Sequence, residues 1–120
     1  ATTFNTMVIG TNALASGIGG TSIGYSATAS GNQSMSIGSF TQAIAADAVA
    51  LGKSAIANAS GAVALGANIT AATVSTVTIK KLQMLDYATI NYANDAAAAT
   101  GGIPLGGVYH TAGALKIRIA

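Results

Sequence analysis

The segment Leu51-Gly52-Lys53-Ser54 ends like a phosphate-binding loop. That loop needs an earlier glycine, which falls at position 47, where the chain has Asp47. Lys53 therefore reads as a solvated turn residue. Gly17-Ile18-Gly19-Gly20 is an equally weak phosphate cradle and reads as a loose turn. His110 is the single histidine. A catalytic triad needs an acid and a nucleophile beside it, and nothing in the sequence argues for them. One chain lacks the ligands for a metal site, although a threefold axis would bring three histidines together. A strand residue beside Tyr109 is the simpler reading. Asp47, Asp86 and Asp95 stand apart, and Asp95 reads as a helix cap. Asn32, Asn58 and Asn68 each begin an Asn-x-Ser/Thr triplet, which chance explains in a chain this rich in Ser and Thr. The threonines form no regular ladder of the kind an ice-binding face requires. No catalytic residue, cofactor or metal site is expected, and the chain reads as non-enzymatic.

Composition explains why so little chemistry is available. Hydrophobic residues make up 51% of the 120, yet only 5% are aromatic, so the apolar content is mostly small side chains that bury little area each. Charged residues are 7%, against about 25% in a typical soluble domain. Much of the surface is therefore expected to be covered, and further copies of the chain are the natural cover. Five basic residues do not make a nucleic-acid footprint, which needs clustered Lys and Arg. There is no cysteine for disulfides or thiolate metal sites. Residues 1–10 lack the basic start and apolar run of a signal peptide. No apolar run of about 18 residues exists, so no spanning helix is expected.

The elements that carry these residues repeat. Gly10, Gly24, Gly38, Gly52 and Gly66 are spaced by fourteen. Before them come Ile9, Ile23, Ile37, Leu51 and Leu65, and two residues earlier Met7, Thr21, Met35, Val49 and Val63. Five residues after each glycine stands an alanine: Ala15, Ala29, Ala43, Ala57 and Ala71. A fixed period without insertions marks a solenoid. Within one unit, Val49 and Leu51 alternate with Ala48 and Ala50, as in a short strand. The glycine ends it with backbone geometry a side chain would forbid. Ala55, Ala57 and Ala59 alternate in a second strand, and Ser60-Gly61 closes the turn. Two strands and two turns per unit make one coil of a parallel β-roll, and five coils rise about 24 Å. The expected core is the column Ile9, Ile23, Ile37, Leu51 and Leu65. The alanine face is expected outside, packed against another roll. Ala45, where other repeats have glycine, and Gly17 to Gly20 are expected to disturb the pattern. Repeat five, running into Thr76 to Lys81, is expected to cap the roll.

The segments Ser22 to Gly38 and Val49 to Gly66 resemble the head repeat of YadA-like trimeric autotransporter adhesins. The resemblance covers about residues 7–76 and implies left-handed parallel β-rolls packed side by side as a homotrimer. It speaks for the fold more than the function, because the same repeat serves adhesins and viral fibres alike.

After about Val77 the period is lost. A mainly β fold follows: a β-roll domain over 1–76 and a small α+β neck and cap or anchor over 77–120. Leu82, Leu85, Thr89, Tyr92, Ala96 and Ala99 keep a weak three-four spacing. Asn94 to Gly102 reads as a capped helix with an alanine run and a glycine stop. Residues 108–111 and 114–120 alternate as two strands around Ala112-Gly113. Leu115, Ile117 and Ile119 face one way, Lys116 and Arg118 the other, toward solvent or an acidic partner. Tyr109, His110, Lys116 and Arg118 are the candidate partner contacts, and Tyr87, Tyr92 and Tyr109 read as interchain packing. From about Asp95 the chain resembles the tails of bacteriophage virion proteins, with His110 where an arginine is common. That resemblance implies a virion-surface fibre or capsid decoration protein with other virion proteins and a host receptor or glycan as partners. The alternative is the head of a bacterial cell-surface adhesin, and a third reading is a subunit of an extracellular filament. Residues 77–120 lack the strands and aromatic girdle of a membrane barrel, so no membrane insertion is expected.

Overall fold

A computed structural model describes residues 5–79 and 90–119. The chain divides into two compact units, Ala1–Lys81 and Leu82–Ala120. Lys80, Lys81, Leu82, Leu85, Asp86, Tyr87 and Thr89 lie outside the described residues.

The first unit is a parallel β-solenoid. In chain order its strands are β1 Met7–Ile9, β2 Leu14–Ala15, β3 Thr21–Ile23, β4 Thr28–Ala29, β5 Met35–Ile37, β6 Gln42–Ala43, β7 Val49–Leu51, β8 Ile56–Ala57, β9 Val63–Leu65, β10 Thr70–Ala71 and β11 Val77–Ile79. The odd-numbered strands form a six-stranded sheet and the even-numbered ones a five-stranded sheet. Every pair is parallel, and each residue sits over the one fourteen positions on, as Leu51 over Leu65. β11 adds a sixth strand to the first sheet, so the roll continues through residues 77–79.

The coil also has a shorter rhythm that the fourteen-residue frame conceals. Every seventh residue from Asn5 to Ser75 has a left-handed backbone, with φ between +53° and +70°. Those residues are chiefly Asn, Ser and Gly, which tolerate this region, but Phe40 is among them. Their N–H groups extend the hydrogen-bond ladder around the corners, as Phe40 N–H to Tyr25 C=O at 2.9 Å and Gln33 N–H to Ile18 C=O at 2.7 Å. Each coil is thus two similar halves. Gly17 to Gly20 forms one of these regular corners, and Ala45 leaves its coil intact. Both were expected to be irregular. Gly31 and Gly61 occupy different places in the half-coil, since only Gly61 takes the left-handed position, at φ +64°.

The interior reverses the expected core. Ala15, Ala29, Ala43, Ala50, Ala55, Ala57, Ala64 and Ala71 are fully buried, as are Ser22, Ser36 and Thr41. Ile9 is 56% exposed, and Ile23, Ile37, Leu51 and Leu65 are half-buried on the outside. The reason is volume. A turn every seven residues brings the two sheets so close that Ala, Ser and Thr41 fill most of the gap, and the larger aliphatic neighbours on the strands point out. In the earlier coils hydroxyls replace some methyl groups. Ser22 Oγ donates to Ala27 C=O at 2.8 Å, and Ser36 Oγ donates to Thr41 Oγ1, which donates to Gly38 C=O. Among the described residues no buried side-chain N or O lacks a partner, so the cost of taking these hydroxyls out of water is offset by their hydrogen bonds.

The glycine column ends the first five three-residue strands. Gly24 has φ +131°, and a Cβ there would lie 2.5 Å from the carbonyl oxygen of Gly38 in the next coil. Glycine is needed twice over, for its backbone and for the close approach.

The second unit holds α1 Asp95–Thr100 and the antiparallel hairpin β12 Val108–Thr111 and β13 Ala114–Ile117. Asn94 caps α1, its Oδ1 accepting from Ala97 N–H at 2.9 Å, and Gly101 ends it. Asp95 is therefore not the cap but a first-turn residue. Ala112 and Gly113, with φ +48° and +88°, make the two-residue turn that matches strand twist.

Candidate interaction surface

Alternation in each three-residue strand gives the six-stranded sheet its outward face. Two columns run along it. One is Met7, Thr21, Met35, Val49, Val63 and Val77; the other is Ile9, Ile23, Ile37, Leu51, Leu65 and Ile79. Neither column carries a charge. The outward face of the five-stranded sheet is mixed, with Leu14, Thr28, Gln42, Ile56 and Thr70. The roll thus has one apolar wall. A contiguous exposed patch of this kind marks an interaction site. The expectation that alanine faces would join the rolls is corrected: those faces close the roll itself, and the Val/Ile/Leu wall is the one that faces outward.

At the corner between the sheets, Tyr25 and Phe40 meet edge to face, with ring centroids 5.2 Å apart. They are 48% and 50% exposed. The sequence reading missed this pair. Its signal was an aromatic, Phe40, at a seventh position that small or polar residues otherwise hold. Lys53 and Asp47 sit exposed on turns, with Asp47 in a left-handed position.

The four candidate contacts of the C-terminal unit do not form one surface. Tyr109 and His110 are 2% and 5% exposed. Tyr109 OH donates to Asp95 Oδ1, whose other oxygen accepts Ile119 N–H at 2.9 Å. The hydrogen bond to Asp95, then burial, then the carboxylate's charge raise the Tyr109 phenol above its ordinary value. Tyr92 packs edge to face on Tyr109 at 6.5 Å. His110 N–H donates to Ile90 C=O at 3.0 Å, and its Nδ1 accepts from Gly113 N–H at 3.3 Å. Arg118 is half-buried and donates from Nη1 to Ile103 C=O at 2.6 Å. That bond braces its own unit. Lys116 alone of the four is exposed.

The fold and its surface define a parallel β-solenoid with one apolar wall. Residues 15–41 and 43–68 match the family model of the YadA head domain repeat, in two copies. Each copy spans nearly two coils. The match stops short of the C-terminal unit, and nothing found supports a virion-protein relationship for residues 95–120. Neither a curated protein nor a solved structure matches the chain.

Proposed function

We propose that the chain is a non-enzymatic, adhesin-like surface protein that works as a homotrimer, its rolls joined through the apolar wall of the six-stranded sheet. The wall carries this reading: two uncharged columns of Val, Ile, Leu, Met and Thr lie outside a roll whose interior has no space for them. Covering them removes apolar area from water at about 25 cal/mol per Å², and a closed ring of copies leaves no wall exposed. The head-repeat match supports an adhesin head over a virion fibre, which rests on the tail resemblance alone. Solvent would then meet the five-stranded sheet and the corners, where host-surface ligands would bind.

Light scattering on the purified chain at several concentrations should give a stable mass of three chains. Leu51→Lys, which places a charge in the wall, should reduce it to one. A monomeric wild type would overturn the assembly, and mass growing without limit would favour the filament reading. Labelled trimer should be retained on cultured cells or immobilised matrix extract; absence of retention would overturn the adhesive role.

A further inference from the structure

We propose that the corner of the roll carrying Tyr25 and Phe40 is a binding site for an acidic saccharide, a pyranose bearing a carboxylate. This names a ligand class for the adhesive reading above and rests on it. The ladder around the corner brings the pair together. Phe40 N–H donates to Tyr25 C=O at 2.9 Å, and the two rings meet at 82° with centroids 5.2 Å apart. The coil itself does not require them. The equivalent corner positions are Asn12, Ser26, Ser54 and Asn68, all left-handed, and the last three make the same ladder bond as Phe40. Phe40, at φ +58°, is the one bulky side chain among them, in a region where such a residue is an outlier. It is also half exposed, as is Tyr25. A ring held in water on a strained backbone adds nothing to the coil, beyond the contact with Tyr25, that serine does not supply. Backbone strain kept in this way points to a binding role.

The surroundings of the rings select the ligand. The strip has two residues per coil at this corner, and from Thr11 to Asn68 the only aliphatic one is Ala67. A peptide's apolar side chains find no pocket there. Ser26 and Ser54 stand one coil to either side of Phe40, and Ser39 one coil beyond Tyr25. Hydroxyls beside an aromatic face suit a sugar. Its own hydroxyls need hydrogen-bond partners, and its C–H groups, drawn positive by the ring oxygens, pack on the negative face of an aromatic ring. Lys53 follows Ser39 in the same column, two coils or about 10 Å from Tyr25. Its exposed ammonium can hold a carboxylate of the bound sugar by a charge-assisted hydrogen bond. Among the described residues of the roll only Lys53 and Asp47 are charged, and Asp47 lies on the opposite corner. The strip therefore attracts an anion.

Saturation-transfer difference NMR on the full chain, irradiating the aromatic resonances, tests the site with methyl glucuronide and methyl glucoside, which differ only in the carboxylate. The glucuronide should receive transfer at its ring protons and bind about threefold more tightly than the glucoside at low salt. Phe40→Ser, which restores the residue of the neighbouring coils, should melt close to wild type and lose the transfer. Lys53→Gln should keep the glucoside signal and lose the preference for the glucuronide. No transfer from wild type, or equal transfer from Phe40→Ser, would overturn the site. An unchanged preference in Lys53→Gln would overturn the acidic class. A Phe40→Ser chain whose oligomer mass falls would also overturn the site, since the rings would then join copies of the chain. Retention on cells separates this site from the adhesive reading. Wild type and Phe40→Ser retained alike would remove the site and leave adhesion standing, whereas sugar binding without retention would leave the site and remove adhesion.

Discussion

Gly52→Ala tests whether the coils stack as closely as the backbone requires. Gly52 has φ +123°, a region almost closed to L side chains. Adopting it with a Cβ costs about 1–3 kcal/mol. That Cβ would also lie 2.7 Å from the carbonyl carbon and oxygen of Gly66. Gly66 cannot easily give way, because its N–H bonds Leu51 C=O at 2.9 Å and Leu65 is paired with Leu51. Relieving the contact adds about 1–3 kcal/mol, as in overpacked cores. The sum of about 2–6 kcal/mol, at about 4 °C per kcal/mol in a chain this size, corresponds to a fall in Tm of about 8–24 °C. Gly19→Asn is the control in the same roll. Gly19 has φ +70°, its Cβ would meet only Gln33 atoms at 3.6 and 3.8 Å, and Asn5, Asn12 and Asn68 hold the same conformation. That variant should melt within about 2 °C of wild type. Far-ultraviolet circular dichroism at fixed protein concentration reads both. Equal melting of the two variants would refute the stacking argument, because glycine content alone would then matter.

Two further outcomes follow from the interior and from the C-terminal unit. Ala50→Val, on the inward face of β7, should cost about 1–3 kcal/mol by chemical denaturation, while Leu51→Ala next to it should act mainly on the oligomer mass; the reverse pattern would restore Leu51 to the core. In alkali the C-terminal unit should lose stability through Tyr109. Its folded phenol value is raised, so the neutral form is favoured by folding. That contribution is complete below the ordinary phenol value of about 10 and is lost as pH rises through the folded value. Tyr109→Phe should flatten the alkaline limb of a stability–pH curve; an unchanged limb would show that the phenol is not coupled to folding.

The period, the strands and the glycine stops were legible in the sequence because they are local. A strand of three residues ended by glycine needs only its own alternation and a forbidden φ, and both repeat every fourteen positions. The capped helix from Asn94 and the turn at Ala112-Gly113 were legible for the same reason. The seven-residue rhythm was not, because Asn, Ser, Gln, Phe, Asp and Gly share a backbone conformation there without sharing a chemical type. Asp95 likewise gained its role from Tyr109 and Ile119, which are distant in the chain.

Alternation shows that Ala50 and Leu51 point to opposite sides, but either side can serve as a core. Hydrophobicity favours leucine inside. The tertiary structure favours alanine, because the distance between the two sheets is set by the tightness of the corners rather than by the appetite of the side chains. The sequence by itself determined that a coil would form and that it would repeat every fourteen residues. Only the closed coil decided where each half turns and which face is interior, and with it that the outward wall is aliphatic.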